Sequence, residues 1–410
     1  MRVVLATPNF PPEFLGGTER VVLALARALR DLGEDVSILT GSDRPLEGDE
    51  VLHETADGFE VFRIRRTPEE VYGLDLMRPR VLDACERAVA SRPVDVLHVH
   101  HWALLSEGLL RRARQLGVVG VATLHDVWTT CPRFFRRPPH GITCPTGAGR
   151  DACVPCGHQG LPHLSEAQIR DGLARRDVSL RQELAAAGRI TVPSRSCAER
   201  IAEHLPWDGP LDVVPHGLLE PPVEAAVREP GPPGVLRIGT FGNLVEEKGV
   251  MLLVWACRGI PGIELHLHGP FLSLEFERLC RAKADEFGVT LVCHGPYDAV
   301  DKHPAARLDL AVFPSLCEET YGLVVEEALV RGTPVVVSDR GALAERIGQG
   351  GVVVPVDELG PLANALRELA TDPARLAALS AGVPTAFATI TDAAARYREI
   401  YHEAIAETVP

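Results

Sequence analysis

Short apolar runs alternate with segments of helical periodicity along almost the whole chain. Residues 3–6 (VVLA) form the first apolar run, and residues 19–33 (ERVVLALARALRDLG) repeat apolar positions at the spacing of an amphipathic helix. Further strand-like runs follow at 36–40, 61–66, 94–100, 118–126, 189–194 and 211–217, with helical segments near 106–116, near 166–187 and from 196. This alternation predicts parallel strands with helices on both faces of the sheet.

The pattern restarts after residues 218–234, which are rich in Pro and Glu and suit an interdomain linker. The second series has strand-like runs at 235–242, 263–269, 289–295, 308–315, 333–339 and 351–355, with helical segments near 248–258, 272–287 and 322–331. We therefore predict an α/β fold of two doubly wound Rossmann-like domains, residues 1–217 and 235–390, facing a central cleft at the carboxyl ends of their strands. Residues 391–410 are predicted to form a C-terminal helix that packs back towards the first domain.

Composition is typical of a globular protein and excludes some classes of partner. The 410 residues are 46% hydrophobic and 24% charged, which allows two domains with separate cores. A formal net charge of −14 argues against a general nucleic-acid-binding protein, because such a protein needs basic surface to neutralise phosphates. No apolar run reaches the roughly 18 residues that a membrane span requires. We expect a cytoplasmic protein, and peripheral contact with the inner face of the membrane is left open.

Glycines and a lysine at two predicted strand–helix turns indicate a phosphate ligand. Gly16 and Gly17 precede the first predicted helix, where glycine lets a ligand approach the backbone and the helix N-terminus favours anions. In the second half, Gly242 ends a predicted strand, Asn243 follows it and Lys248 begins the next helix. An ammonium group at that position can reach a diphosphate.

The segment FPSLCEETYGLVVEEALVRGTPVVVSD at 313–339 carries the most specific pattern. Glu319 lies in a predicted loop before a helix, and Glu327 lies inside that helix. One carboxylate can contact a sugar, and the other can accept hydrogen bonds from a second pair of hydroxyls, those of a ribose. Backbone N–H groups at the start of the helix can bind a phosphate between them. These N–H groups belong to Gly322, Leu323 and Val324.

The chain resembles a family 4 retaining glycosyltransferase with the glycosyltransferase-B fold, and the resemblance covers nearly its full length. It is carried by the Gly16-Gly17 loop, His125-Asp126, VPSRS at 192–196, VPHG at 214–217, Gly242 with Lys248, the Glu-x7-Glu segment and ALVRGTPVVVS at 328–338. A second pair at the same spacing is Glu318 and Glu326. The family places an aromatic-Gly pair two residues after the first Glu and Ala directly after the second, which selects Glu319 and Glu327.

The resemblance also implies a role for each matching residue. Glu319 would contact the donor sugar and Glu327 the ribose hydroxyls. Lys248 would neutralise the diphosphate, with the Gly16-Gly17 loop close to it, and His125 would face the transferred sugar. Asn243 departs from the family, which usually has Arg there, so one of two diphosphate-binding cations is missing.

The implied activity is that of a retaining, hexosyltransferase-type enzyme. It would move a sugar from a nucleotide-diphosphate sugar to a saccharide, lipid-linked or other small acceptor in cell-surface polysaccharide or glycolipid synthesis. No metal-binding Asp-x-Asp stands at a suitable strand end, so we expect catalysis without a divalent metal. Two alternatives stay open: a nucleotide-sugar epimerase or sugar phosphorylase of the same fold, and a redox-sensing or binding protein on a degenerate glycosyltransferase scaffold.

Four cysteines are gathered in a predicted insertion at residues 128–165. Cys131, Cys144, Cys153 and Cys156 have the spacing C-x12-C-x8-C-x2-C, which is typical of metal ligands, and the prolines and glycines among them favour a ligand-organised loop over a helix. Four thiolates fit a [4Fe-4S] cluster, and structural zinc is the alternative; a disulfide or four unrelated thiols are also open. The arginines between them either bind an anionic acceptor or only solvate the loop; they are Arg133, Arg136, Arg137 and Arg150.

Overall fold

The computed structural model of the protein describes residues 1–410 apart from 45–49, 67–73, 135, 139–143, 145–148, 204, 206, 208, 221–230, 233, 298–302 and 409–410. Most of the predicted linker, at 221–230 and 233, lies outside the described residues. The chain divides into two compact units. The first contains residues 1–134, 145–220 and 388–410, and the second contains residues 135–144 and 221–387.

The first unit is built on one sheet. Its described strands are β1 (Arg2–Thr7), β2 (Asp35–Ser42), β3 (Val51–Ala56), β4 (Phe59–Arg65), β5 (Val96–Val99), β6 (Val119–Thr123), β7 (Arg189–Val192) and β8 (Asp212–Val213). They lie in the order β3-β4-β2-β1-β5-β6-β7-β8, and neighbouring strands are parallel except β3 and β4. The described helices are α1 (Gly17–Asp31), α2 (Pro79–Ala90), α3 (Leu109–Gln115), α4 (Cys153–Gly160), α5 (Glu166–Leu184), α6 (Arg195–Ala202) and a C-terminal helix at Ile390–Thr408.

Alternate residues of the central strands enter two separate cores, because successive side chains of a strand point to opposite faces of the sheet. Val3 and Leu5 of β1 pack with α1 and the C-terminal helix. Val4 and Ala6 pack with α2, α3 and α5. Helices therefore cover both faces of the sheet, which confirms the doubly wound fold predicted for this half.

Two buried tyrosines anchor the C-terminal helix to the first unit. The hydroxyl of Tyr401 lies 2.7 Å from Nδ1 of His98 on β5, and the hydroxyl of Tyr397 lies 2.9 Å from Oγ1 of Thr123 on β6. Thr191 on β7 joins the network, with its Oγ1 2.7 Å from Oγ1 of Thr123. Burying these polar groups costs little free energy only because each finds a partner.

The second unit repeats the architecture with a parallel sheet. Its described strands are β9 (Leu236–Phe241), β10 (Ile263–His268), β11 (Thr290–Gly295), β12 (Leu310–Phe313), β13 (Val335–Ser338) and β14 (Gly351–Val354), in the order β11-β10-β9-β12-β13-β14. Its described helices are α7 (Val250–Ala256), α8 (Leu274–Phe287), α9 (Leu323–Leu329), α10 (Leu359–Thr371) and α11 (Pro373–Ala381), so the C-terminal helix is α12. No described helix is both long enough and apolar enough to cross a membrane.

The cysteine-rich insertion differs from its prediction as a loop. Cys153 and Cys156 lie on α4, three residues apart and therefore on one side of a helix. Pro155 falls in the first turn of α4, where the helix needs no N–H donor. The sequence prediction was wrong here because proline interrupts a helix only beyond that first turn.

A small apolar cluster supports α4 against α5. Val154 is 2% exposed and packs with Leu74, Ile169 and Leu173. Gly157 permits the close approach of the two helices, since an added Cβ would lie 2.6 Å from Cγ2 of Ile169. This part of the insertion is therefore supported by an apolar cluster that residues outside the insertion complete.

Gly249 follows Lys248 and brings this turn into contact with the residue after β12. Its φ of 72° lies in the left-handed region, and an added Cβ would lie 1.9 Å from the carbonyl oxygen of Pro314. Beside this contact, the N–H of Leu316 donates to the carbonyl of Glu247 at 2.8 Å. Only glycine permits such an approach of two backbones.

We expect Gly249→Ala to lower the free energy of unfolding by clearly more than the ~1–2 kcal/mol that left-handed backbone costs a residue with a Cβ. Gly259→Ala is the matched control, because Gly259 has a φ of 68° and nothing lies within 4 Å of its added Cβ. Urea unfolding of both variants measures the difference. Equal losses would contradict a special role for the contact with Pro314.

Candidate functional site

The turn after β9 carries predicted phosphate-binding residues. Gly242 follows β9 with a φ of 110°, and its N–H donates to the carbonyl of His268 at 3.1 Å. Asn243 is exposed, and Lys248 ends the 3₁₀ turn Glu246–Lys248. All of these residues lie at the carboxyl end of β9, where ligands of parallel α/β sheets bind.

Lys248 and Glu319 form an ion pair at this edge of the sheet. The Lys248 ammonium lies 2.5 Å from Oε1 of Glu319, and the hydroxyl of Ser315 donates to the same oxygen at 2.6 Å. The Glu319 carbonyl accepts the N–H of Ala342 at 2.7 Å, and a Cβ at Gly341 would lie 2.0 Å from that carbonyl oxygen. Both the side chain and the backbone of Glu319 are therefore fixed.

The pair controls the ionisation of both partners. Burial raises the pKa of Glu319, but the charge of Lys248 and the hydrogen bonds from Lys248 and Ser315 outweigh burial and lower this pKa below its usual value. Burial lowers the pKa of Lys248, but the charge and hydrogen bond of Glu319, together with Cys317 and Glu247, outweigh burial and raise this pKa. Both side chains are therefore charged at neutral pH.

Glu326, a member of the second Glu-x7-Glu pair, belongs to a buried structural network. Its carboxylate is 4% exposed and accepts the hydroxyl of Tyr321 at 2.9 Å. Arg346 lies 3.1 Å from the same carboxylate and 3.8 Å from the centre of the Tyr321 ring. Burial raises the pKa of Glu326, which the charge of Arg346 opposes. These contacts tie the loop before α9 to the 3₁₀ turn Gly341–Arg346.

Glu327 and the start of α9 lie beside this network. Oε2 of Glu327 is 3.6 Å from Nε2 of His303, and the Glu327 side chain is 13% exposed. Gly322 precedes α9 with a φ of 80°, and a Cβ there would lie 2.3 Å from Cδ2 of Leu343. The predicted N–H donors of Gly322, Leu323 and Val324 therefore belong to the beginning of a helix, where N–H groups lack intrahelical partners.

In the first unit, Gly16 and Gly17 form the N-terminus of α1. The helix begins at Gly17, and Gly16 is its N-cap residue in extended conformation. An added Cβ at Gly16 would lie 2.5 Å from Oε2 of Glu19. The loop thus presents backbone at the carboxyl end of β1.

His125 follows β6 and is held by two other histidines. Its Nε2 lies 2.8 Å from Nδ1 of His100, which follows β5, and its ring stacks on His216 at 5.0 Å between centroids. Burial, and then the neighbouring His216, lower the pKa of His125 well below its usual value, while Asp126 opposes this shift. The imidazole is therefore neutral at physiological pH.

Asp126 orients the segment that follows. Its carboxylate accepts the N–H of Trp128 at 2.8 Å and lies 3.2 Å from Nε2 of His101. Burial raises the pKa of Asp126, but the charge and hydrogen bond of His101 outweigh burial and lower it. Asp126 therefore fixes local geometry next to His125.

The predicted metal-binding cysteines fall in both units. Cys131, Cys153 and Cys156 belong to the first unit and Cys144 to the second. Within the first unit, the described thiols do not form a group of three ligand atoms within 4.8 Å of one another.

The arginines of the insertion make specific contacts. Arg137 lies 2.9 Å from Glu246, and Arg133 donates to Oε1 of Gln159 at 2.7 Å. Arg136 is buried. Arg150 donates to the carbonyl of Thr130 at 2.6 Å and pairs with Asp177. Arg137 and Arg150 therefore already have acidic partners.

Several site residues escaped the sequence predictions. Ser315, which positions Glu319, carries no signal of its own in the sequence. His100 and His216, which flank His125, each stand at the end of a predicted strand run, and that position was a usable signal. Tyr321 and Arg346 became visible as a pair only through the fold.

Two family models match the chain. The model for Glycosyltransferase Family 4 matches residues 15–218, and the model for Glycosyl transferases group 1 matches residues 235–372. Glycogen synthase of Mycobacterium tuberculosis is 28% identical over 412 residues, covering 91% of this chain and 87% of that protein. D-inositol 3-phosphate glycosyltransferase 1 of Catenulispora acidiphila is 27% identical over 388 residues, covering 90% of this chain and 85% of that protein.

The fold is also shared with a solved structure. Sucrose-phosphate synthase from Thermosynechococcus elongatus superposes with a TM-score of 0.71 and 21% sequence identity, covering 99% of each chain. This similarity and the two parallel sheets confirm the predicted glycosyltransferase-B fold.

We expect the Lys248–Glu319 pair to stabilise the folded protein at neutral pH and less in acid. Because the folded-state pKa of Glu319 is depressed, the contribution is present above the usual carboxyl pKa of about 4.3 and is lost as the pH falls through the folded-state pKa. The Tm difference between the wild type and Glu319→Gln should therefore shrink as the pH falls from 7 towards 3. Glu318→Gln controls for the loss of one carboxylate from the same loop. A difference that is constant with pH would contradict the assignment.

Proposed function

This chain belongs to the family 4-type glycosyltransferases, and we propose that it holds its donor through the Lys248–Glu319 pair of the second unit. It transfers a hexosyl group from a nucleotide-diphosphate sugar, and the relatives favour this activity over the redox-sensing, epimerase and phosphorylase alternatives. The observation that carries the proposal is a fixed pair of opposite charges at the carboxyl end of β9.

A diphosphate can replace Glu319 as the partner of Lys248. The ammonium stands at the turn that begins with Gly242, where the missing side chain leaves the backbone open to a ligand. A diphosphate carries more negative charge than one carboxylate and attracts the ammonium more strongly. Glu319 would keep the hydrogen bond from Ser315 and accept one from a hydroxyl group of the donor sugar.

The other donor contacts follow from the position of α9. The N–H groups at its first turn would bind phosphate oxygens, and Glu327 would accept hydrogen bonds from the ribose hydroxyls. Asn243 can donate a hydrogen bond to the diphosphate but adds no charge there. We therefore assign the main electrostatic contribution to Lys248.

The transfer step fits a reaction with retention of configuration. The bond between the anomeric carbon and the diphosphate oxygen breaks, and the acceptor oxygen forms a bond on the same face. The acceptor hydroxyl proton passes to the leaving diphosphate. Lys248 stabilises the charge that develops on the leaving group, and neutral His125 can hydrogen-bond to the transferred sugar. The step as proposed uses no divalent metal.

The acceptor we propose is a saccharide or a lipid-linked sugar, and an anionic acceptor deserves the first test. A relative is named for a phosphorylated acceptor, D-inositol 3-phosphate. The four insertion arginines are the candidates for such a contact, and for Arg137 and Arg150 the acceptor would have to replace an acidic side chain. A lipid-linked acceptor would also bring the enzyme to the inner face of the membrane.

We retain the four-cysteine metal site as a proposal, with a [4Fe-4S] cluster as the ligand and zinc as the alternative. The observation that supports it is the cationic surroundings of the thiols. Arg150 lies 3.9 Å from Sγ of Cys153. Arg176 is 1% exposed, and burial together with Arg150 lowers its pKa to about 10, while Asp177 and then Cys131 oppose the shift. Thiolates bound to a metal would offset this buried positive charge.

Lys248→Met should raise the KM for the donor about 10- to 100-fold, because a charged hydrogen bond contributes about 1.5–3 kcal/mol. Glu319→Gln should mainly lower kcat, since it leaves Lys248 in place but weakens the contact with the reacting sugar. Steady-state assays with a panel of nucleotide sugars, chosen first by thermal shift, measure both effects.

The controls separate donor binding from folding. Lys283→Met removes another lysine, paired with Glu286 on α8, and should leave the donor KM unchanged. The wild type should keep full activity in chelator at saturating donor. An unchanged donor KM in Lys248→Met, or strict dependence on magnesium or manganese, would overturn the proposal.

For the cysteine site, we expect iron and sulfide, or one zinc, to copurify with the protein prepared without oxygen. Cys153→Ser/Cys156→Ser should remove the iron and sulfide, or lower the zinc content by one equivalent, whereas Cys293→Ala, outside the insertion, should retain the wild-type content. Metal analysis and the visible absorption of an iron–sulfur cluster give the answer. Wild-type protein free of iron and zinc would refute the site.

A further inference from the structure

Three histidines lie together at the carboxyl ends of β10 and β11, at the edge of the second unit's sheet. His266 and His268 are two residues apart on β10 and so share a face, and His294 of β11 lies against them. One ring nitrogen from each lies within 4.8 Å of the others. Nδ1 of His266 and Nε2 of His294 are 2.9 Å apart, and the rings of His268 and His294 stack at 3.9 Å.

A ring nitrogen of His268 gives an independent observation that points to a ligand. The residue is 4% exposed, and its Nε2 is buried without a hydrogen-bond partner among the described residues. Leaving a buried polar nitrogen unsatisfied costs about 1–3 kcal/mol. A cation coordinated at this position would remove that cost.

Glu264 is placed to orient His266. Its Oε2 lies 3.4 Å from Nε2 of His266, one strand repeat away on the same face of β10. A carboxylate that accepts from one ring nitrogen leaves the lone pair of the other nitrogen for a metal. Here that other nitrogen is Nδ1, the atom that faces His294.

The ionisation of the three rings is compatible with coordination. Burial, followed by the neighbouring His294, lowers the pKa of His268 to about 3. Burial also lowers the pKa of His266 and of His294; Glu264 opposes the shift of His266, and Arg307 adds to that of His294. Neutral imidazole is the form that binds metals.

We propose that His266, His268 and His294 form a binding site for a divalent late transition-metal ion such as Zn²⁺, with Glu264 as the residue that orients His266. Imidazole ligands suit Zn²⁺ and its neighbours rather than Mg²⁺ or Ca²⁺. Zn–N bonds of about 2.0–2.1 Å at tetrahedral angles separate the nitrogens by about 3.3 Å, so the imidazole rings, which stack nearly parallel, would rotate to direct their lone pairs at one ion. His294 is exposed, which gives the ion an entry path and leaves the fourth position to water.

The ion would tie the edge strand to the donor side of the sheet. Among the described strands, β11 has a neighbour on one side only, and the N–H of Gly269 donates to the carbonyl of Gly295 at 2.7 Å just beyond the histidines. The carbonyl of His268 accepts the N–H of Gly242, and a Cβ at Gly269 would lie 1.8 Å from the Gly242 carbonyl oxygen. Coordination would therefore stiffen the backbone that carries Gly242. This metal site does not depend on the proposed mechanism of sugar transfer.

The test is metal binding by protein without a polyhistidine tag, in the Cys153→Ser/Cys156→Ser background that disables the cysteine site. Isothermal titration with Zn²⁺ should give one equivalent bound and a higher Tm than in chelator. His294→Ala removes an exposed ligand with little risk to folding and should raise the Kd at least about 100-fold, and Glu264→Gln about 10- to 100-fold.

His402→Ala is the matched control, because it removes an exposed histidine from α12 in the first unit and should leave the Kd unchanged. Titration with Co²⁺ should give a visible spectrum without thiolate charge-transfer bands. Failure to bind one equivalent in the cysteine-variant background, or an unchanged Kd in His294→Ala, would overturn the proposal. Neither result would bear on donor binding by Lys248 and Glu319.

Discussion

The close approach of two backbones at Gly249 and Pro314 is the constraint on which the proposed donor site of the second unit depends. The turn after β9 packs against the loop after β12 at this point. The approach is possible because residue 249 is glycine, and an added Cβ would collide with the Pro314 carbonyl oxygen. Lys248 precedes the contact and Glu319 follows it, so the pairing of their charges is a consequence of backbone packing. A second close backbone contact, between Gly341 and the Glu319 carbonyl, fixes the position of Glu319. A charged pair held at both ends in this way would need little reorganisation if, as proposed, a diphosphate replaced one partner, and such preorganisation is the electrostatic advantage of enzyme sites.

The first unit relies on a different device, a buried polar network. His98, Thr123 and Thr191 lie on three neighbouring strands, and α12 closes the network with two tyrosine hydroxyls. Residues from the far end of the sequence thus belong to the first unit, where they satisfy polar groups that the strands bury and also join an apolar core. Next to this network, His100 continues the row of imidazoles to His125. Desolvation keeps these rings uncharged, so His125 acts as a hydrogen-bonding group rather than as a cation.

The sequence predicted the elements whose signal is local. The central strands are continuous apolar runs, because helices cover both faces, and all of the runs assigned as strands became strands. The pattern missed β3, which alternates partly exposed positions at a sheet edge, and it missed α2, α10 and α11. It also misjudged α4, since proline and cysteine content suggested a loop. That helix is stabilised by Val154 packing on Ile169 and by the space at Gly157, contacts that come from distant residues.

The same division applies to the site. Periodicity predicted the doubly wound fold, and the order of short motifs indicated a family 4-type glycosyltransferase and predicted Lys248, Glu319 and Glu327 as site residues, because strand ends and helix starts are encoded by neighbouring residues. The tertiary structure distinguished the two Glu-x7-Glu pairs. Glu326 is buried in a network with Tyr321 and Arg346, whereas Glu319 forms an ion pair with Lys248. The tertiary structure also decided that Ser315 holds Glu319 and that His266, His268 and His294 meet across two strands. Register between β10 and β11 is a property of the folded sheet, and no spacing along the chain specifies it.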